Sequence, residues 1–192
     1  MNEMDYEKYR QKIESMDMVF RKLIFLEESE TEEQLNQRIP FLLEAVGNYT
    51  KSDRVYIFDW IPVSEEKYHN TFEWCREGVR SQLEILQNVP VICMSNWHER
   101  FEQGESIILA DVEEIRYTMP SEFELLTMQD IYSEIAVPVF YKNQLSGFIG
   151  LDNPEVSFLE ISAKLMRDVG IHLNYVRENR KILSQLQNKE NH

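Results

Sequence analysis

Residues 133–154 read SEIAVPVFYKNQLSGFIGLDNP. Two apolar runs, Ile135–Tyr141 and Leu145–Leu151, flank the polar pair Lys142-Asn143. Each run is short and rich in branched and aromatic side chains, which predicts an antiparallel hairpin. Neither run alternates cleanly: Ile135, Val137 and Val139 share one face, Ala136, Pro138 and Phe140 the other. A strand that is apolar on both faces has to be covered on both. The hairpin therefore predicts an α+β fold with three layers, α/β/α, around a central antiparallel sheet of about five or six strands.

The elements to either side fit that frame. Residues 5–28 carry Tyr9, Ile13, Met16, Phe20 and Leu23 at helical spacing, with Val19 and Leu26 widening the stripe. Thr31-Glu32-Glu33-Gln34 matches a capping box and opens a second helix over about 32–50, which Pro40 should kink or restart. Asp53–Ile61 and Lys67–Cys75 read as another hairpin across a turn at Pro62–Glu66, and the more polar second strand suits a sheet edge.

Residues 76–130 form an insert with little periodicity. Within it, Glu84–Gln87 suggests a helical turn, Asn96 a capped helix ending at Gly104, and Ser106–Ala110 a strand. Asp111–Glu114 and Ser121–Glu124 each suggest a short capped helix. Such inserts often build binding surfaces. Ser157-x-x-Glu160 then opens a last helix over about 157–187, roughly 45 Å long. Its positions Ile161, Leu165, Val169, Leu173 and Val176 can face the sheet, while Leu183 and Leu186 lie beyond the body and call for a partner helix.

The whole chain, 1–192, reads as one domain with a core at about 20–177. Its net charge of −14 repels phosphate backbones and anionic lipid, so neither nucleic acid nor a membrane surface is an expected partner. Cys75 and Cys93 show no metal-ligand or redox spacing, the first residues lack an apolar signal region, and no run is long enough to span a membrane. A cytoplasmic protein is expected. His69, His98, His172 and His192 have no ligand spacing either, so no metal is expected. GxSxG, P-loop and GxGxxG motifs are missing, and Gly147-Phe148-Ile149-Gly150 suits close packing on a twisted strand. What remains is a pocket between residues 133–152 and the insert, with Phe72, Trp74, Trp97, Phe101, Tyr117, Met119, Gln129, Ser133 and Asp152 as candidate lining. The alternatives are that Trp74 and Trp97 only fill core volume, and that Asp152 caps the turn at Asn153-Pro154.

Several motifs carry a family likeness. They are Asp53-Arg54-Val55-Tyr56-Ile57-Phe58, Asn70-Thr71-Phe72-Glu73-Trp74-Cys75, Leu126-x-x-Gln129, Ser133, Val137-Pro138 and Gly147-Phe148-Ile149-Gly150-Leu151-Asp152. Together they resemble a GAF domain, a relative of PAS domains, over about residues 20–177. The second and last motifs resemble the subtype found ahead of GGDEF (diguanylate cyclase) domains in bacteria. The resemblance implies a GAF/PAS-like sheet with the terminal and second helices on one side and the insert enclosing a pocket on the other. It also implies a homodimer through the terminal helices and a non-enzymatic sensor of an unidentified small molecule, which relays to an effector of the diguanylate cyclase kind. The sequence stops at His192 without a catalytic domain, so it reads as a sensor region of a longer protein or a stand-alone one.

Two other functions compete: a structural dimerisation module that binds nothing, and a cysteine-dependent methionine sulfoxide reductase-like enzyme. The cysteine set of the latter is not matched. Bilin-binding relatives use a Cys-His pair, whereas here the pairs are Cys75-Arg76 and Cys93-Met94. The cyclic-nucleotide signature is missing too, since the only Asn-Lys is Asn188-Lys189. Which cofactor, if any, binds is unknown from the sequence.

Overall fold

The hairpin forms at the expected place, as β5 (Glu134–Tyr141) and β6 (Gln144–Asp152). Lys142 and Asn143 both take positive φ, 50° and 64°, the two-residue turn whose twist matches antiparallel strands. The computed structural model describes residues 3–62 and 66–190, and the side chains of residues 6–62 and 66–186. Val63–Glu65 of the predicted turn, and His192, lie outside the described residues.

The remaining elements, in chain order, are α1 (Glu3–Glu27), α2 (Glu32–Thr50), β1 (Arg54–Ile61), β2 (Lys67–Cys75), β3 (Val89–Pro90), α3 (Ser95–Glu102), β4 (Ile107–Leu109), α4 (Pro120–Thr127) and α5 (Leu159–Glu190). The six strands make one antiparallel sheet in the order β3-β2-β1-β6-β5-β4. β3 reaches only Lys67 and Tyr68 of β2. Further along, the irregular chain takes over, with Leu86 O accepting from Asn70 N at 3.0 Å. β2 is thus an edge strand over most of its length, as its polarity predicted.

The sheet is buried on both faces. Ile135, Val137 and Val139 join Val55, Ile57, Ile149 and Leu151 in one core with α1, α2 and α5. Ala136, Tyr56, Phe58 and Phe148 join a second core with the insert. The three-layer α+β architecture follows from these two apolar clusters.

Local signals fared unevenly. Thr31 caps α2, its Oγ1 accepting from Gln34 N at 3.1 Å, while Gln34 Oε1 accepts from Glu30 N at 2.9 Å. α2 runs unbroken through Pro40 and does not restart. Asn96 and Ser121 are not caps: α3 starts one residue earlier at Ser95, and α4 starts at Pro120, whose fixed φ suits a first helical position. Ser157 lies inside a 3-10 turn, Val156–Phe158, that leads into α5. Among the described side chains of α1, Val19, Leu23 and Leu26 are buried, while Tyr9, Ile13 and Phe20 are exposed. Ile161 on α5 is likewise exposed, whereas Leu165, Val169, Leu173 and Val176 are buried as expected.

Candidate site beneath the insert

Strand register places a polar row at one end of the insert-side face. Arg54 of β1 pairs with Asp152 of β6, which pairs with Glu134 of β5. In the next row, Tyr56 lies opposite Gly150, and Gly150 opposite Ala136. A Cβ on Gly150 would stand 2.2 Å from Tyr56 ring carbons. The bare glycine therefore lets the phenol lie across β6, where its hydroxyl donates to Glu134 on the strand beyond.

Arg54 is the only buried basic residue among the described residues, and each of its three nitrogens is engaged. Nε donates to Asp152, one terminal nitrogen to Arg80 O at 3.1 Å and the other to Gln129 O at 2.9 Å. Burial pushes the Glu134 carboxyl well above its usual range, and the Asp152 charge adds to it. Burial also raises Asp152, against the pull of Arg54. Two adjacent buried carboxyls beside one guanidinium hold one proton between them, because both cannot ionise cheaply in that environment. The Tyr56 hydroxyl, raised by burial and then by Glu134, stays a donor.

Next to this row lies a cavity of about 60 Å³. Its floor is aromatic: Tyr56, Phe58 and Phe148, the last two stacked with centroids 4.8 Å apart. Its walls include Met94 and Trp97 on the α3 side, and Glu122, Leu126 and Gln129 on the α4 side. The rim is half-buried, at Leu86, Val89, Leu125 and Gln129. Glu122 is buried and accepts from Asn96 N at 2.8 Å and Asn96 Nδ2 at 3.2 Å, so it holds the start of α3 against α4. The Trp97 indole N–H, also buried, has no hydrogen-bond partner.

Of the residues singled out from the sequence, Trp97, Gln129 and Asp152 line this cavity. Phe101 and Met119 pack in the apolar cluster around it. Ser133 is buried at the base of β5, with its N–H donating to Asn153 Oδ1 at 3.2 Å. Asn153 makes the turn that Asp152 was a candidate to cap: its Oδ1 also accepts from Tyr132 N and its Nδ2 donates to Asp53 and to Asp130 O.

The other three expected residues lie elsewhere. Tyr117 is 91% exposed. Phe72 and Trp74 pack on the opposite face of the sheet. The cause is a bulge. Phe58 pairs with Asn70 but Ile57 pairs with Phe72, so Thr71 is the extra residue and everything after it on β2 changes face. Trp74 therefore meets α2 at Gly47, where a Cβ would stand 2.0 Å from the indole. Phe72 lines a wider polar cleft of about 370 Å³ between α2, β1, β2 and α5. There Arg177 of α5 makes a two-point pair with Asp59 of β1, at 2.8 and 2.6 Å.

Sequence reasoning missed Arg54, Tyr56, Glu122 and Glu134. A signal existed for two of them, Arg54 and Glu134, as it did for Asp152. Arg54, Glu134 and Asp152 are charges at strand ends inside otherwise apolar runs, and antiparallel pairing brings such ends together. Glu122 gave no such sign. Cys75 is half-buried, and burial together with Glu73 pushes its thiol up to about 12, which leaves little thiolate at neutral pH. Among the described residues no group of three or more His, Cys, Asp or Glu could hold a metal ion, and no helix is long and apolar enough to cross a membrane.

Comparison with known proteins gives a consistent picture. The family model of the GAF domain matches residues 34–175. The methanogenesis regulatory histidine kinase FilI of Methanothrix harundinacea is 30% identical over 144 residues, which is 67% of this chain but 16% of the kinase. Among solved structures, the blue-light absorbing form of the Thermosynechococcus elongatus PixJ GAF domain superposes with a TM-score of 0.66 at 16% identity, covering 86% of this chain and 98% of that one. The GAF domain of an Acinetobacter phosphoenolpyruvate-protein phosphotransferase gives 0.63 at 14% identity, covering 89% and 97%.

Proposed function

The chain belongs to the GAF family, and on that premise we propose that it is a non-enzymatic sensor domain of a cytoplasmic signalling protein, with a small molecule entering the cavity beneath the insert. The observation that carries this reading is the partition of the sheet. A cavity lined by aromatic side chains and the buried acidic residues Glu122 and Asp152 lies on one face, and the terminal helices pack on the other. β1 joins the two sides: Arg54, Tyr56 and Phe58 face the site, and Asp59 grips Arg177 of α5. A ligand that shifts β1 would reach α5 through that pair. Coupling of about 1–3 kcal/mol suffices for such a relay.

The protein acts as a homodimer through its terminal helices. The support is the apolar surface left bare: Tyr6, Ile13 and Phe20 repeat every seven residues on α1, and Ile171, Tyr175, Ile182 and Leu186 form a similar row on α5. The output is a signalling enzyme. The Asn70–Cys75 and Gly147–Asp152 motifs point to a diguanylate cyclase, whereas the curated relative is a histidine kinase and lends that choice no support. The raised thiol of Cys75 argues against the cysteine-dependent enzyme.

The test is thermal-shift screening against a metabolite library, with native mass spectrometry on every hit. A compound that raises the melting temperature and adds its own mass supports sensing, because binding only to the folded state stabilises it. A library that leaves the melting temperature unmoved returns the domain to a structural dimerisation role.

A further inference from the structure

We infer that the cavity takes the uncharged, apolar end of a small organic molecule, a hydrocarbon group of about three or four carbons, and admits an ion of neither sign. The inference rests on the sensor reading above and adds the chemical class and size of what enters.

The class follows from what the lining residues have left to offer. Glu122 accepts from Asn96 N with one oxygen and from Asn96 Nδ2 with the other, at 2.8 and 3.2 Å. The Tyr56 hydroxyl donates to Glu134. Asp152 accepts from Arg54 with one oxygen, while the other shares the Glu134 proton and has no surface open to the cavity. The Trp97 indole N–H has no open surface either. Gln129 donates its side-chain amide to Leu125 O at 2.9 Å, and its backbone carbonyl accepts from Arg54. Arg54 itself is not part of the lining. An ion that entered would leave its hydration shell and find neither a counter-charge nor a free hydrogen-bonding group in exchange.

Carbon and sulfur are what the cavity presents. The stacked rings of Phe58 and Phe148 form the floor, and Met94, Leu126 and Ile131 stand around them. A void of this kind stays dry, so a hydrocarbon group entering it displaces no ordered water and gains the dispersion contacts that the lining lacks. Each methylene buried there is worth about fourfold in affinity. Size is set by the volume. About 60 Å³ is well under the ~150 Å³ void that takes benzene, so the enclosed part has fewer heavy atoms than a six-membered ring. A longer molecule runs out past the half-buried rim at Leu86, Val89 and Leu125, which is apolar as well, and carries its polar groups beyond those side chains into solvent.

Amide NMR titration of the whole chain tests the inference with three probes sharing one four-atom branched skeleton: 2-chloropropane, isopropylammonium chloride and sodium acetate. 2-Chloropropane should bind saturably, with the largest shifts at the Phe148 and Met94 amides and the Trp97 indole N–H. Both ions, at constant ionic strength, should bind roughly tenfold more weakly or worse. Benzene should bind no more tightly than 2-chloropropane, because the void cannot close around it. Leu126→Phe puts a ring into the cavity and should weaken 2-chloropropane roughly tenfold or more, the equivalent of about two lost methylenes. If that variant does not fold, the position and selectivity of the wild-type shifts decide alone. Either ion binding as tightly as 2-chloropropane overturns the inference, and so do shifts centred elsewhere, tighter benzene binding or unchanged affinity in Leu126→Phe. If 2-chloropropane fails while a charged library compound binds and shifts the same resonances, the apolar assignment falls and the sensor reading stands. If neither the probes nor the library bind, both fall.

Discussion

Gly150→Ala is the sharpest probe of the site, because one atom decides whether Tyr56 can cross β6. The new Cβ would lie 2.2 Å from two ring carbons and 2.3 Å from the hydroxyl oxygen. Ordinary carbon contacts sit near 3.5–4.0 Å, so the ring must move by more than about 1 Å. It has little room, being 7% exposed and edge-on to Phe58 at 5.4 Å and to Phe148 at 6.2 Å between centroids. Forcing it aside costs about 1–3 kcal/mol of overpacking. Pulling the hydroxyl off Glu134 strands a buried donor and acceptor, for about 1–3 kcal/mol more. Replacing glycine inside a strand returns roughly 0.5–1 kcal/mol. The net is a destabilisation near 3 kcal/mol, equivalent to a fall in Tm of roughly 6–12 °C for a domain of this size. Urea unfolding followed by tryptophan fluorescence measures it. A Tyr56→Phe background separates the parts: the hydrogen bond is already gone there, so Gly150→Ala should cost only the overpacking share. A cost below about 0.5 kcal/mol in the wild-type background would show that the phenol does not lie over Gly150.

Glu134 has its folded pKa raised, first by burial and then by Asp152, so its share of stability is complete below the ordinary carboxylate pKa and is lost as pH rises through the raised value. The urea midpoint of Glu134→Gln should accordingly change less with pH than that of the wild type between pH 5 and 9, and parallel curves would contradict the assignment. Exposed Ile13 and Tyr175 can be changed to glutamate with roughly 0.5 kcal/mol or less of effect on folding, yet each should convert a sedimenting dimer to a monomer; a wild-type monomer at micromolar concentration removes the dimer. In a Cys93→Ser background, Cys75 with its thiol near 12 should react with iodoacetamide at pH 8 roughly a thousandfold more slowly than free cysteine, and ready alkylation would reopen the nucleophile reading.

The sequence made the layers legible because the evidence for them is periodic. Val55, Ile57, Ile135, Val137, Ile149 and Leu151 share one core, and Tyr56, Phe58, Ala136 and Phe148 share the other, as alternation along each strand requires. The helices were less completely legible. An apolar stripe wider than the buried contact does not say which of its residues face inward: Tyr9, Ile13 and Phe20 belong to the α1 stripe but stay exposed, and Ile161, expected to face the sheet, is exposed as well. Caps were misplaced for a related reason. Asn96 and Ser121 have the right side chains, but tertiary contacts, Glu122 on Asn96 above all, gave them other work.

The site was half legible because two bulges reset strand register, and a single extra residue exchanges the faces of everything beyond it. On β2 the extra residue is Thr71, and it carries Phe72 and Trp74 away from the cavity their aromatic character suggested. On β6 the effect is the reverse. The tight turn at Lys142-Asn143 pairs Phe140 with Leu145, and uninterrupted pairing from there would set Glu134 opposite Leu151, in the helix-side core. The irregularity after Val139 shifts the register by one, so Val139 meets Gly147 and Glu134 meets Asp152 on the insert side. Gly147 makes that shift possible. Its φ of 150° and the approach of the Phe58 carbonyl, 1.9 Å from where a Cβ would be, leave no space for a side chain. One glycine thus decides whether a glutamate is an unpaired charge in an apolar core or half of a proton-sharing pair beside a cavity. The chemistry of the site depends on strand register as much as on residue type, which is why residue types alone located the cavity but not its carboxyl pair.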